Sequence, residues 1–418
     1  MISIHPSPLS ALTPLRATNP AIGPAIRMLS APSAFAETAD YAAVLQQDTP
    51  LLDVRAPVEF AKGALPRAVN LPLMNDEERH QVGLCYQQRG QQAAVELGLS
   101  LVSGTTRQHR IESWVHFAQT HPQGHLYCFR GGLRSRIAQQ WLAQAGYPYP
   151  RITGGFKAVR HFLLEQLNPG APALSLIVLG GLTGTGKTEL LTQLEHALDL
   201  EAFAGHRGSS FGKRLEEQPT PIEFEHRLAM RILQSRAQAL PHLVVEDEGQ
   251  FIGRCALPPA FYHRMQQAPL VWLEEDFTLR VQRILQTYVI DLHQEFVALR
   301  GVTQGFADFA QHLRDSLSGI AKRLGGERLQ RLRQQMERAL WAQAEEGSAA
   351  LHSAWISTLL REYYDPMYHY QAKQKEPRIM FRGRASEVLD YLRRQQHSPF
   401  AVVERCGAPP QSPGKHHS

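Results

Sequence analysis

The chain has 418 residues, 43% of them hydrophobic and 20% charged. At roughly 100 to 200 residues per domain this predicts two or three domains with apolar material for their cores, and excludes both a single small binding module and wholesale disorder. Lys and Arg number 44 against 39 Asp and Glu, a formal net charge of +5 that permits a polyanionic partner without demanding one. The four cysteines (Cys85, Cys128, Cys255 and Cys406) are too scattered for a disulfide framework or a zinc site with close ligand pairs, which points to a reducing, cytoplasmic setting.

Residues 1–36 read as a flexible extension. Up to Pro32 the segment holds no acidic residue and no sustained apolar period. Pro14, Arg16, Pro20, Pro24 and Arg27 interrupt the apolar core that a secretory signal needs, and Met28 is an alternative translation start. No apolar run reaches the roughly 18 residues of a membrane-spanning helix, so no membrane role is expected.

Between residues 37 and 166 short apolar strands alternate with helical stretches: Leu51–Val54, Val69–Pro72, Leu126–Cys128, then a helix from about Arg134 to Ala145. That alternation predicts a parallel α/β sheet. Cys128, Phe129, Arg130, Gly131, Gly132, Leu133 and Arg134 leave a strand, turn through two glycines and enter a helix. Consecutive backbone N–H groups and the positive helix end then converge on the cysteine sulfur, and with Arg130 and Arg134 nearby they should stabilise a sulfur- or selenium-bearing anion there. A lone buried cysteine is more often apolar filler, but this setting favours catalysis. Cys85, Cys255 and Cys406 lack such surroundings and read as filler. Asp53-Val-Arg55, Glu59-Phe60, Gly63, Pro66, Ala68, Asn70 and Pro72, with the Cys128 loop and Gly154-Gly-Phe156, resemble a rhodanese domain, which carries a chalcogen on its loop cysteine. Asp53 and Arg55 are expected to anchor the fold through an internal ion pair.

Pro and Gly cluster in Leu167–Ala173, marking a boundary before a second domain over 173–400. The apolar strand Leu174–Leu179 runs into Gly180-Gly-Leu-Thr-Gly-Thr-Gly-Lys-Thr188 and then a helical pattern. Gly181, Gly184, Gly186, Lys187 and Thr188 fit a Walker A phosphate loop, with backbone amides around phosphate oxygens, a neutralising lysine and a threonine placed for Mg²⁺. His242–Glu248 is a strand ending in carboxylates. Asp247 is the expected Mg²⁺ partner of Thr188, with Glu246 or Glu248 as alternatives. Pro269–Leu273 adds a strand and leads to a helix with Arg280 and Arg283.

His206, Arg207 and Ser209 lie in a polar glycine-bearing loop that serves either as a substrate loop or as a connector. From about 282 to 361 the pattern is helical, with a basic stretch from Arg314 through Arg323 to Arg333. Tyr363, Tyr364 and Tyr368 then alternate with polar groups. They are candidates, with Arg323, for contacts to the unpaired bases and phosphates of a nucleic acid, although aromatic helix packing is the favoured reading of that segment. Residues 406–418, with three prolines and two glycines, read as a disordered tail.

Across residues 37 to 395 the chain resembles the bacterial tRNA 2-selenouridine synthase family. The resemblance rests on Cys128-Phe-Arg-Gly-Gly132, Val82-Gly83 with Tyr86 and Gly90, the phosphate loop, His206-Arg-Gly-Ser209 with Phe211-Gly212, Glu246-Asp-Glu248, and Tyr363-Tyr-Asp-Pro-Met-Tyr368. It implies a rhodanese-like parallel-sheet domain followed by a phosphate-loop parallel-sheet domain with a helical, basic C-terminal part. It further implies conversion of 2-thiouridine at wobble position 34 of the tRNAs for Lys, Glu and Gln to 2-selenouridine through an S-geranyl intermediate. Geranyl diphosphate and selenophosphate are the implied substrates, Cys128 the selenium carrier as S-selanylcysteine, the anticodon loop of tRNA the partner, and a monomer without a permanent cofactor the expected state. Two other readings stay open at this point: a thiosulfate-type sulfurtransferase fused to an ATP-dependent kinase or NTPase, and a nucleotide-gated binding protein.

Overall fold

The computed structural model describes residues 35–168 and 174–396. The extension before residue 35, residues 169–173 of the linker, the tail after 396 and Cys406 lie outside them. The chain divides into two compact units between Val159 and Arg160. The helix Gly155–Glu165 spans that division, so the change of unit falls one to two helical turns before the Pro/Gly cluster.

The first unit holds five short parallel strands, β1 (Glu37–Thr38), β2 (Leu51–Asp53), β3 (Ala68–Asn70), β4 (His125–Tyr127) and β5 (Arg151–Ile152), in the order β1-β5-β4-β2-β3. Every residue of β2 is buried, as expected for an inner parallel strand covered on both faces. Leu52, Leu126, Trp114, Trp141 and Leu142 fill the core beside it, and the buried Trp114 indole donates to the Leu71 carbonyl at 2.9 Å. The expected ion pair is present: Arg55 Nη2 meets Asp53 Oδ2 at 2.6 Å with both side chains inaccessible, and the guanidinium also donates to the Gly63 carbonyl at 3.0 Å. Those extra bonds satisfy the donors that burial would otherwise leave unpaired.

Asp76–Leu101 is not one straight helix. Asn75 and Glu78 form a reciprocal capping box at its start, at 2.8 and 2.7 Å. Gly90 then adopts φ +82° and ψ −177°, outside helical space. Val82 and Gly98 would be about 24 Å apart along a continuous helix. A Cβ on Gly98 would nevertheless lie 3.6 Å from Val82 Cγ2, so the chain doubles back at Gly90 into a helical hairpin.

The second unit is built on β6 (Ser175–Gly181), β7 (Ala197–Leu198), β8 (His242–Glu246), the antiparallel pair β9 (Phe251–Ile252) and β10 (Cys255–Ala256), β11 (Leu270–Leu273) and β12 (Ile379–Gly383). Its main sheet is parallel throughout, in the order β12-β11-β6-β8-β7. The chain leaves the central β6 toward β7 and β8 and later crosses to β11. The phosphate loop thus sits at the C-terminal end of the strand where the winding direction reverses, the usual crevice for ligands in such sheets. Helices from Phe277 to Lys375 form a separate core around Phe309, Leu313, Leu332 and Trp355. Among the described residues no helix is long and apolar enough to cross a membrane.

Candidate functional sites

In the first unit Cys128 follows β4 and is 2% exposed. Gly131 has φ +61°, which lets the loop turn without a Cβ penalty, and the Leu133–Gln144 helix begins two residues later. The loop is backed by Gly154 and Gly155. A Cβ on Gly155 would sit 2.2 Å from the Cys128 carbonyl and 2.5 Å from the Gly131 nitrogen. Phe156 and Lys157 donate their N–H groups to the carbonyls of Cys128 and Phe129 at 2.9 and 3.0 Å, and the Arg151 guanidinium donates to the Gly131 carbonyl. The cradle is therefore held from behind by backbone contacts, and the Gly154-Gly-Phe156 motif exists to allow them.

The thiol donates to Ser135 Oγ at 3.2 Å, and Ser135 Oγ donates to the Gly132 carbonyl at 3.0 Å. Ser135 is fully buried and is a site residue that sequence reading passed over. Its signal was its place one turn inside the helix that the cysteine loop feeds. A hydroxyl there can rotate to donate to an anion on the sulfur. Of the two arginines, Arg130 is exposed beside the Phe129 ring, whereas Arg134 is half-buried and forks onto Glu59 at 2.5 and 3.1 Å. Burial pushes the Glu59 carboxyl up, but the Arg134 hydrogen bond and charge outweigh it and hold the group below its usual range. Much of the Arg134 charge is thus already answered within the fold. Cys85 is half-buried on the helical hairpin, and Cys255 is buried with its thiol turned to the Pro219 carbonyl at 3.8 Å.

In the second unit Gly184 and Gly186 have φ of +82° and +89°. The expected helix follows, Lys187–Leu191, with only five residues. The loop's amides, more than a long helix dipole, make it a phosphate cradle. Lys187 Nζ donates to the Gly181 and Leu182 carbonyls at 3.1 and 3.5 Å, parked on its own loop. Arg283 closes the other side: Nη1 donates to the Gly184 carbonyl at 2.8 Å, and a Cβ on Gly186 would lie 3.0 Å from its Cζ. Arg280 donates to the Thr183 carbonyl at 2.9 Å and grips Asp365 at 3.1 and 2.5 Å.

The expected partnership of Thr188 with Asp247 needs correcting. Thr188 Oγ1 donates to Glu246 Oε1 at 3.2 Å, whereas both Asp247 oxygens are taken by Lys375 Nζ at 2.7 and 2.5 Å. Successive strand residues point to opposite sides, so Glu246 at the end of β8 faces the loop and Asp247 does not. Sequence reading also missed Glu201. The pairing of β7 with β8, Leu198 against Val245, brings the Leu200–Ala204 turn beside Glu246. There burial, then the charges of Glu246 and Glu248, push the Glu201 carboxyl up to about 9. Burial, then Asp199 and Glu248, push Glu246 to about 8, and Lys187 opposes both shifts. Glu248 is likewise raised, first by burial.

The His206–Gly212 loop is drawn onto this cluster. A Cβ on Gly208, at φ +55°, would meet Glu248 Oε2 at 2.7 Å and Glu201 Oε1 at 2.9 Å. The Arg207 guanidinium lies over the Tyr288 ring at 5.2 Å, and Ser209 hydrogen-bonds the Tyr288 and Tyr364 hydroxyls. His206 bridges to Lys213 across the loop. The loop is therefore part of the site's wall.

The tyrosine segment lines the same region. Tyr364 is buried in the helical core and packs where Trp355, Ile356 and Leu360 pack. Its ring is not available to stack on a base, which corrects the expectation that Tyr364 contacts tRNA. Tyr368 reaches Thr183 of the phosphate loop, and burial, then the charge of Glu248, push its hydroxyl up to about 12. Tyr363 is half-buried and meets the guanidinium of the solvent-facing Arg323.

Residues 174–399 match the family described as the tRNA 2-selenouridine synthase AAA domain. The tRNA 2-selenouridine synthase of Bordetella bronchiseptica is 58% identical over 86% of this chain and 98% of its own length. That of Azotobacter vinelandii is 56% identical over 86% and 97%, and that of Pseudomonas fluorescens 54% identical over 87% and 99%. With the glycine-lined phosphate loop and its carboxylates in place, these matches show that the chain belongs to the tRNA 2-selenouridine synthase family.

Proposed function

We propose that this enzyme replaces the sulfur of 2-thiouridine at wobble position 34 of the tRNAs for Lys, Glu and Gln by selenium, in two stages served by two cradles. In the first stage the thiocarbonyl sulfur attacks C1 of geranyl diphosphate. An S–C bond forms, the C–O bond breaks, and diphosphate leaves with the electron pair. Backbone amides of Gly181 to Thr188, Lys187 released from its loop carbonyls, and Arg283 are suited to take up the charge developing on the diphosphate. Mg²⁺ fits beside Thr188 and Glu246, because a cation there would replace the protons that crowding and burial keep on Glu201 and Glu246. Among the described residues no cluster of three His, Cys, Asp or Glu side chains is arranged to hold a metal alone, so phosphate oxygens and water would complete its shell.

Alkylation turns the thiocarbonyl into a group that can depart as a thiolate. In the second stage water cleaves the Se–P bond of selenophosphate to release phosphate and selenide. A disulfide takes the two electrons as that selenide joins the Cys128 thiolate to give S-selanylcysteine, and the terminal selenium attacks C2 of the base. The Se–C bond forms, and the C–S bond breaks with geranylthiolate leaving. A thiol then cleaves the sulfur–selenium bond to Cys128 and supplies the two electrons. The rhodanese-like reading of the first unit is supported above all by one observation: the Cys128 loop turns through Gly131 into a helix and is so tightly backed by Gly155 that a Cβ there would strike the loop backbone. Arg323, Tyr363 and Tyr368 remain the proposed tRNA contacts, and the enzyme is proposed to act as a cytoplasmic monomer.

The test is to assay Cys128→Ala and Lys187→Ala separately on thiolated tRNA with geranyl diphosphate and selenophosphate. The cysteine variant should accumulate S-geranyl-2-thiouridine, and the lysine variant should fail to form it. Selenouridine made at the normal rate by Cys128→Ala would sink the carrier assignment.

A further inference from the structure

The helical hairpin 76–101 borders a half-open apolar cavity of about 300 Å³ within the first unit. Val82 and Tyr86 line it from the arm before Gly90, Ala94, Val95 and Leu99 from the arm after it, and Leu133, Ile137 and Trp141 from the helix that starts at the cysteine loop. Cys128 belongs to the same apolar cluster as Leu73, Met74, Ile137 and Trp141 of the lining. Arg134 stands on its wall, and a second cavity of about 560 Å³ shares Met74, Val82, Tyr86 and Arg134 with it and adds the polar side chains of Glu59, Arg79 and His80 at its edge. The two cavities adjoin at Arg134, and the second carries the charged side chains of Glu59, Arg79 and Arg134 as a mouth beside the apolar chamber. A cavity of about 150 Å³ takes a six-carbon ring, so one of twice that size takes a chain on the order of ten carbons.

From this geometry we infer that the hairpin is the receptor for the S-alkyl chain of the modified nucleoside: the ten-carbon tail occupies the apolar chamber, while the nucleoside sits in the charged mouth near Arg79 and Arg134. The inference rests on the two-stage reading above. It gives a purpose to Val82, Tyr86 and the Gly90 reversal, which the phosphate and cysteine cradles do not use. A tail anchored there holds the alkylated base beside the cysteine loop and keeps water from the chamber.

Calorimetric titration of the full-length protein with S-geranyl-2-thiouridine and with S-methyl-2-thiouridine tests it. The wild type should bind the geranyl nucleoside at least tenfold more tightly. Ala94→Phe, which fills the chamber, should erase that preference, as should Val95→Phe, the second variant should the first fail to fold; Lys187→Ala should keep it. A geranyl preference that survives in a folded chamber-filling variant, or its absence from the wild type, overturns the inference. Failure of the two-stage reading is recognised separately, as absence of S-geranyl-2-thiouridine when the wild type is given thiolated tRNA and geranyl diphosphate.

Discussion

Glu201 and Glu246 make the second unit sensitive to pH in a direction opposite to that of ordinary surface carboxylates. Burial and mutual repulsion hold them near 9 and 8, against 4.5 for an unperturbed glutamate. An acid whose native pKa is raised stabilises the fold fully below its unfolded pKa, and that contribution is lost as pH rises through the native values. Between pH 4.5 and 7.5 one such carboxyl forfeits at most about 4 kcal/mol, three pH units at about 1.36 kcal/mol each. The pair shares its protons, and water entering the site relaxes the penalty, so a loss of about 1–2 kcal/mol is the working expectation. For a unit of this size that corresponds to roughly 2–8 °C in Tm. Glu201→Gln keeps the shape and removes one titration. In metal-free buffer, scanning calorimetry from pH 6 to 8.5 should show the wild-type second unit losing Tm as pH rises. The variant should lose less and be the more stable protein at pH 8.5. Parallel Tm curves for the two proteins over that range would refute the argument that these carboxyls are held protonated by crowding.

Two other substitutions probe the cradles. Gly155→Ala places a methyl 2.2 Å from the Cys128 carbonyl at φ +59°, and should cost on the order of 3 kcal/mol in the first unit while abolishing selenium transfer and sparing geranylation. Nucleoside mass spectrometry separates those two stages, and calorimetry reads the stability. Arg283→Leu removes the guanidinium over Gly186 and should raise KM for geranyl diphosphate about tenfold or more, with Arg283→Lys recovering part of the loss. An unchanged KM in Arg283→Leu would reduce Arg283 to a brace for the loop.

What could be read from the sequence was local. β6 announced itself because a buried parallel strand needs an unbroken apolar run, and the glycines after it sit within nine residues of one another. The cysteine loop was legible for the same reason, since strand, glycines and helix follow without interruption. Glu201 was not legible, because nothing near it in sequence marks it. Its position depends on β7 lying against β8, a pairing that joins residues more than forty positions apart. The choice between Asp247 and Glu246 turned on strand parity at the last residue of β8, and Lys375, which holds Asp247 away from Thr188, arrives from a distant helix. The reversal at Gly90 was not legible either, because it shows only in the packing of Gly98 toward Val82.

The basic stretch has the same lesson for electrostatics. Arg314 meets both oxygens of Glu337 at 2.7 Å, and Arg331 pairs with Glu362, whose backbone carbonyl also accepts from Arg328 at 3.1 Å. Their charges bind helices to one another, and a tRNA phosphate would have to displace a carboxylate to use them. Exposed ion pairs of this kind are worth less than about 1 kcal/mol, so such displacement is cheap, and a phosphate that brings its own counterion release can win it. The net charge of +5 is therefore a poor guide to where tRNA docks. Arg323, solvent-facing and bonded to the Tyr363 hydroxyl rather than to a carboxylate, offers its charge at lower cost than its neighbours.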